Sequence, residues 1–581
     1  MKGFDVLKVK SAVKTRNKFD LSRTHLTTMN FGEIVPLLAE ETVPGDKFSI
    51  SADYFSRLAP LVKPTYGKFQ FKTVSAFVPY HQLAADSDAW LAGKVTWEGQ
   101  TPVQRHFYVL TLVDWIITNC VTTVGATATN SQFTYVNSSG TTVYNLFTNK
   151  GRYYMKVMNA LGYAIPSNVD LQTSSSWYSA FRYFRLSAYP LLGFFKLYND
   201  YMSQSQRYNS SALSSLLNNV KYGRSVTSLY NASGGDLTAA GIQAMFDWLF
   251  LNYENDYFTS AWQSPNSAIN SIENINGLAV PGSTGTVSEG YYDDNLALPV
   301  SGGSVSIPQR ALDFLKDFDD WVRRNNYSGS RAVQQIYSRF GIKTDDYRSH
   351  YANVISTDSL PVQVGDVTAT ADATNVPLGD YAGKGIMAGS KDISCSVSDY
   401  GIILILGYFT VTPMNAFGFD RKVLRSGPLD YYNPEFDGLG ADAISLGEIY
   451  ADPTHTSTVQ DNGIFGFTER YNSYRYGRDQ ITGEFRDYDA AGDMNCWHTG
   501  RNLSAIRTAG GLVAQSTSMN TLPQSNSEYN RIFSNTSGDV DHFYLTARFD
   551  VSAVRPMLNL NQVPRLGEGD TVVPRNGNVI S

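Results

Sequence analysis

Apolar and polar positions alternate with a period of two near both ends of the chain and fall at helical spacing in its middle. From residue 25 to 82, "TTMNFGEIVPLL" mixes β-branched and apolar residues, and "VPGDKFSI" brings turn chemistry at Pro44, Gly45 and Asp46. "YGKFQFKTVSAFVPY" then alternates at Phe69, Phe71, Thr73 and Ser75 and ends at Pro79. Three punctuated strands predict a sandwich or barrel. In the middle, Phe107, Leu110, Val113 and Ile117 predict a helix over 104–119. An uncharged loop or hairpin follows from Gly125 to Asn145, and helical patterns return around Leu191–Arg207 and Leu237–Leu251. Asn266–Ser306 is a polar stretch with too few apolar side chains for a core, expected to be exposed. Another helix is predicted to start at Ser306, with Pro308 just inside and Leu312, Leu315, Phe318 and Val322 on one face. After about residue 390 the chain turns β-rich again, in "ISCSVSDYGIILILGYFTVTP", "GIFGFTERY", "ITGEF" and "HFYLTARFDV". The expectation is a mainly β fold with a single domain over 25–581. Its strands lie mainly in 25–82 and 390–560, with helices and loops inserted over about 83–389 and an arm over 1–24. No internal repeat is visible.

Composition sharpens this picture. Of 581 residues, 42% are apolar but only 17% charged, and 37 Tyr and 31 Phe lift the aromatic share to 13%. Such a chain can bury a core, which excludes disorder, and it lacks the Glu, Lys, Ala and Leu bias of a coiled coil. Charge is segregated. Lys2, Lys8, Lys10, Lys14, Arg16, Lys18 and Arg23 oppose only Asp5 and Asp20, a net +5 in a chain of net −6, which leaves −11 for the remainder. A basic arm of this kind contacts nucleic acid or is merely solvated. Cys120, Cys395 and Cys496 are odd in number, far apart and form no CxxC, so reduced thiols are expected. Residues 1–24 lack the apolar core of a secretory signal. The longest apolar run, Tyr400–Val411, is too short for a membrane helix, so no membrane insertion is expected.

Catalytic signatures are missing from the sequence. It holds no GxSxG elbow, P-loop or HExxH. "GKGIMAG" (Gly383–Gly389) has the wrong spacing for a dinucleotide fingerprint and reads as a flexible loop. No two of the seven histidines lie within four residues of each other, so no local metal pair exists. No enzyme, cofactor or metal is expected. On the residues alone a second class stays open, a secreted carbohydrate-binding or carbohydrate-active β-sandwich. It draws on the aromatic, Asn, Ser and Thr richness, and the absent signal peptide speaks against it.

Several strings, in order along the chain, resemble the major capsid proteins of the microviruses, small phages with single-stranded DNA, particularly the gokushovirus-like branches. They are "FDLSRTHLTTMNFGEIVPLLAEETVPGDKF", "AFVPYHQL", "AYPLLGFFKLYNDYM" (Ala188–Met202), "DYFTSAWQSP" (Asp256–Pro265) and "IYSRFGIKTDD". They continue with "PLDYYNPEFDGLG" (Pro428–Gly440), "FGFTERYNSYRYGRDQITGEFR" (Phe465–Arg486), "CWH" (Cys496–His498) and "RPM" (Arg555–Met557). The resemblance spans about residues 19 to 560. The chain departs from the family after "DYFTS", where Ala261-Trp262-Gln263-Ser264-Pro265 replaces the usual Ala-Leu-Pro-Trp-Pro-Gln, and in "YRSHYANVISTDSL" after the inserted helix. Both departures mark a divergent branch.

The resemblance implies an eight-stranded antiparallel jelly roll with long helical and loop insertions. It implies a subunit of which roughly sixty copies close a T=1 icosahedral shell around circular single-stranded DNA, assembled in the host bacterial cytoplasm. Expected partners are the chain itself, the packaged DNA, a small basic DNA-packing protein, a spike or pilot protein and a host cell-surface receptor. Lys8, Lys10, Lys14, Arg16 and Lys18 are candidate DNA contacts, as are Arg470, Arg475, Arg478 and Arg486 on a basic strand pair interleaved with aromatics, for which interface salt bridges or a solvated outer face are the open alternatives. Asp256, Tyr257, Phe258, Tyr431, Tyr432 and Tyr474 are candidate subunit contacts, with core packing the open alternative for the first three.

Overall fold

The computed structural model describes residues 16–94, 101–124, 131–164, 169–202, 212–251, 351–368, 381–437, 441–451, 464–486, 494–501, 529–537 and 540–557, with a few single residues between them. Asn266–Ser306, the helix expected from Ser306 and "IYSRFGIKTDD" lie outside the described residues. Two antiparallel sheets carry the fold. The first contains β1 (Asn17–Asp20), β2 (Arg23–Met29), β4 (Lys47–Leu58), β7 (Gln363–Thr368), β8 (Tyr381–Ser396) and β12 (Phe543–Arg555). Its order is β1-β12-β4-β8-β7, and β2 continues the edge that β1 begins along β12. The second sheet contains β3 (Ile34–Thr42), β5 (Phe69–Pro79), β6 (Asn353–Pro361) and β9 (Gly401–Val411), in the order β6-β5-β9-β3.

Alternation explains why the sheets meet. Along β4 every second residue is buried, including Phe48, Ile50, Ala52, Tyr54 and Leu58, and β12 does the same with Phe543, Leu545, Ala547, Phe549 and Val551. A half-buried antiparallel strand has this period. Aromatic pairs cross the interface: Tyr54 meets Phe71 at 5.4 Å, and Phe409 stacks on Phe543 at 4.0 Å between ring centroids. At β9 the second sheet is buried on both faces, so that strand reads as a continuous apolar run. Its outer face is covered by inserted helices: α2 (Asn149–Ala160) packs on β3, and α3 (Tyr189–Leu197) on β5 and β9. Among the described residues, side chains on the outer face of the first sheet such as Phe55, Arg57, Tyr544 and Arg548 are exposed.

The insertion between β5 and β6 also holds a sheet built on the hairpin Phe133–Val136/Thr142–Phe147, within the stretch read as loop or hairpin. The helix expected over 104–119 is shorter. His106–Tyr108 is a strand, α1 spans Val109–Trp115, and a π-turn follows at Ile116–Cys120. Two readings need correction. "GKGIMAG" is no loop but the N-terminal half of β8, paired to β4 from Ile386↔Arg57 onward. Strands β6 and β7 also lie inside the stretch read as insertion. The turn at Pro44–Asp46 is as expected, with Asp46 accepting the Val43 N–H at 2.9 Å. No helix among the described residues is long and apolar enough to cross a membrane. A second, smaller core joins Tyr257, Phe258 and Ala261 of the β5–β6 insertion to Ile444, Leu446, Ile449 and Phe465 of the β9–β12 connection, which also holds the pair β10 (Ala441–Ser445) and β11 (Ile464–Glu469).

Candidate assembly and nucleic-acid surfaces

The basic arm enters the fold at a sheet corner. Lys8, Lys10 and Lys14 lie outside the described residues, while Arg16 and Lys18 are exposed there. Lys18 sits in β1, in register with Val554 of β12. The Arg16 guanidinium closes over the β3–β4 turn, 3.0 Å from where a Cβ on Gly45 would stand. Beneath it, burial raises the Asp46 carboxyl above its usual range, opposed by the Val43 N–H and by the charges of Arg555 and Arg16. The end of β12 lies at the same corner, since Asn17 pairs with Arg555 and its side-chain amide donates to the Met557 carbonyl at 2.7 Å.

Arg470, Arg475, Arg478 and Arg486 do not lie on a strand pair. β11 ends at Glu469, and 470–486 is a chain of turns with single 3₁₀ turns at Asn472–Tyr474 and Gly483–Phe485. The strand stops because Tyr471 takes a left-handed conformation at φ 61, costly for a non-glycine residue. Its N–H is held by Asp442 at 2.8 Å and its ring is buried. The bend carries Tyr474 to the loop that follows β9. There the Tyr432 N–H donates to the Tyr474 hydroxyl at 3.2 Å, and Arg425 lies over the Tyr474 ring at 3.9 Å. Asp430 fixes that loop by accepting the Gly427 and Ser426 N–H groups, bonds that hold its carboxyl below the usual range.

Three of the expected subunit contacts therefore converge. Tyr431, Tyr432 and Tyr474 are 55%, 49% and 47% exposed, and Phe419, Val423 and Leu429 are exposed close by in sequence. The arginines stiffen this knot. Arg470 lies over Phe436 at 5.2 Å, and Arg475 pairs with Asp437 at 2.8 Å and Glu469 at 3.3 Å. Arg478 donates to the Phe419 carbonyl, and burial lowers its pKa. Arg486, partly buried, ends the turn that begins at Gly483.

Asp256, Tyr257 and Phe258 go elsewhere. Tyr257 and Phe258 are 6% and 2% exposed in the second core. The Tyr257 hydroxyl donates to Glu448 at 3.1 Å, and its ring stacks on Tyr476 at 4.9 Å. Asp256 accepts from buried Arg501 and from Asn415, both at 3.0 Å. These residues tie the 256–261 stretch of the β5–β6 insertion to the connection between β9 and β12, and Tyr257 and Phe258 are core residues there. Sequence reasoning overlooked Arg425, whose partner Tyr474 lies 49 positions away with no local signal. No group of three or more His, Cys, Asp or Glu among the described residues is placed to hold a metal ion. What the surface offers is area, aromatic faces and fixed charge.

Comparison with known proteins agrees with that character. The model of a family described as Capsid protein (F protein) matches residues 7–101 and 301–565. Capsid protein VP1 of Chlamydia phage 1 is 24% identical over 94% of this chain and 95% of its own length. Capsid protein VP1 of Bdellovibrio phage phiMH2K is 22% identical over 95% of each. The family match covers more than half of the chain and assigns it a structural and not a catalytic role, so this chain belongs to the phage capsid protein (F protein) family.

Proposed function

We infer that the chain is the major capsid subunit of a gokushovirus-like microvirus, with roughly sixty copies closing a T=1 shell around circular single-stranded DNA. The observation that carries this reading is the strand order. Setting β1 and β7 aside as edge additions, eight strands form β2-β12-β4-β8 facing β3-β9-β5-β6. Successive strands mostly alternate between the two sheets, which supports a double-sheet jelly roll of the kind found in viral capsids. The long connections leave this unit between β5 and β6 and between β9 and β12, so insertions decorate the shell without disturbing its frame. The Tyr431–Tyr432–Tyr474 knot then serves as a contact between copies, since tyrosine supplies rigid apolar area with a polar tip. The basic arm, with Lys8, Lys10, Lys14, Arg16 and Lys18, faces the interior and neutralises phosphate, releasing condensed counterions. Assembly takes place in the bacterial cytoplasm. A small basic packing protein, a spike or pilot protein and a host receptor complete the partners.

Mass measurement of purified particles tests the reading. Roughly sixty copies of a 64.3 kDa chain give a protein shell of about 3.9 MDa. A stable monomer within virions, or an open filament, overturns it.

A further inference from the structure

The open face of the first sheet carries side chains that a solvated sheet face does not need. Most of it is polar or charged: Ser49, Ser51, Ser390 and Ser394, with Asp53, Lys384 and Asp392, and Arg548 paired to Asp550. At one end, however, Leu26 is 74% exposed, Tyr544 46% and Phe55 40%. Register puts them side by side. On β12, Thr546 lies opposite both Leu26 of β2 and Phe55 of β4, and Tyr544 lies opposite Arg57. Phe55 and Tyr544 are thus diagonal neighbours, about 7–8 Å apart on one face. Helix α2 walls this corner with Lys156, Asn159 and Ala160, leaving a wide, shallow trough of about 700 Å³.

Its chemistry selects among occupants. Among the described residues the trough is lined by Leu26, Phe55 and Tyr544, by Thr27, Thr28 and Thr546, and by His25, Arg57 and Lys156, with the Asp541 carboxylate held behind Thr28 and Lys156. Lys156 is held by Glu33 and Asp541, but the Arg57 guanidinium points over the Phe55 ring at 5.5 Å. Two ring faces on a rigid sheet, a cation beside one of them and hydroxyls around both suit a flexible polyanion with flat apolar rings. A β-sheet presenting solvent-facing aromatics to unpaired bases is a recurrent way of binding single strands.

We propose that this trough is a stacking platform for the unpaired bases of single-stranded DNA, with Phe55 and Tyr544 as the stacking rings and Arg57 as the phosphate contact. The proposal rests on the capsid reading above and adds a face to it: the open side of the first sheet is the genome side of the shell, and the helix-covered second sheet lies outward. Binding should favour single strands over duplex of the same length, because a duplex shows no free base faces. It should also tolerate any sequence, because every base has a face to stack.

The test uses the full chain and oligo(dT). In particles, photo-crosslinking of the packaged DNA, mapped by mass spectrometry, should label the peptides that contain Phe55 and Tyr544. With the unassembled chain, the double variant Phe55→Ala/Tyr544→Ser should bind oligo(dT) roughly tenfold or more weakly, as expected for lost base stacking. Phe55→Trp/Tyr544→Trp should keep binding and shows that folding is not the cause. Arg57→Gln should lower the steepness of the salt dependence by about one phosphate contact. Crosslinks that avoid these peptides, equal binding by the double variant, or protein-to-protein crosslinks at Phe55 overturn the platform. In each case particles of correct mass that still hold DNA leave the capsid reading intact, and their absence removes that reading instead.

Discussion

Lys156 shows how much of this fold turns on single charges. Its ammonium bridges Glu33 at 2.9 Å and Asp541 at 2.8 Å, tying α2 to the β2–β3 turn and to the residue just ahead of β12. Glu33 also accepts the Asn30 N–H at 2.9 Å. Burial pushes the Glu33 carboxyl above its usual range, and Lys156 is the largest force pulling it back. Replacing Lys156 by Met leaves two carboxylates facing each other without their cation. Breaking a buried pair in this way costs about 3 kcal/mol, so the variant should melt well below the parent at pH 7. The sign of its pH dependence follows. A carboxyl whose folded pKa lies above its unfolded value of 4.5 binds its proton more readily when folded, so its stability contribution is greatest at low pH and is lost as pH rises. Removing Lys156 raises that folded pKa further. The deficit of Lys156→Met should therefore shrink as the pH falls from 7 toward 4.5. Melting temperatures of both chains across that range check it, and a deficit independent of pH would mean that Lys156 acts through packing alone.

At the scale of elements, legibility in the sequence depended on whether a strand's inward face bears side chains. β4 and β5 alternate visibly, and β9 is apolar throughout because it is sandwiched between the first sheet and α3. β8 hid itself. Its inward positions near the start are Gly383, Gly385, Met387 and Gly389, so no hydrophobic alternation marks it. The glycines serve a close approach from neighbouring strands. A Cβ on Gly385 would stand 2.6 Å from Leu58 Cδ2, and one on Gly389 would stand 2.5 Å from Leu360 Cδ2. The same residues that read as a loop let two leucines fill the core. Gly385→Ala should therefore destabilise the chain by about 1–3 kcal/mol through overpacking, even though alanine is ordinarily no worse in a strand than glycine. Denaturant unfolding measures this, and the pair Gly385→Ala/Leu58→Ala should recover part of the loss because it returns the space. The candidate site was legible in a different sense. Tyr431, Tyr432 and Tyr474 stood out as residue types, but the left-handed bend at Tyr471 that joins them has no signature a reader of the chain could use. The expected strand pair over 470–486 failed for that same bend.

The whole molecule segregates its surfaces. The first and last strands, β1 and β12, pair at one edge of the first sheet, the exposed face of that sheet spreads beside them, and inserted helices pack on the second sheet. The aromatic knot belongs to the region between β9 and β12, tied by Arg425, Arg470 and Arg475 into a rigid patch. Rigid tyrosines with an exposed face bind with little entropy to lose, and a few such anchors dominate an interface. Assembly and genome contact should then separate by mutation. Tyr431→Ser with Val423→Ser alters two of the most exposed apolar side chains on or beside the patch and touches no core contact, so the isolated chain should melt within about 1 °C of the parent, as for surface changes generally. Each lost anchor costs an interface about 1 kcal/mol or more, and a closed shell repeats that loss at every copy, so the concentration needed for shells should rise at least tenfold. Replacing Lys8, Lys10, Lys14, Arg16 and Lys18 by Gln should do the reverse, giving shells at the usual concentration whose DNA is reduced or lost at moderate salt. Light scattering against concentration reads the first effect, and the absorbance ratio of purified particles reads the second. Shells that fail in the arm variant would make the arm a clamp between copies, and normal assembly of the Tyr431 variant would remove the knot from the interface.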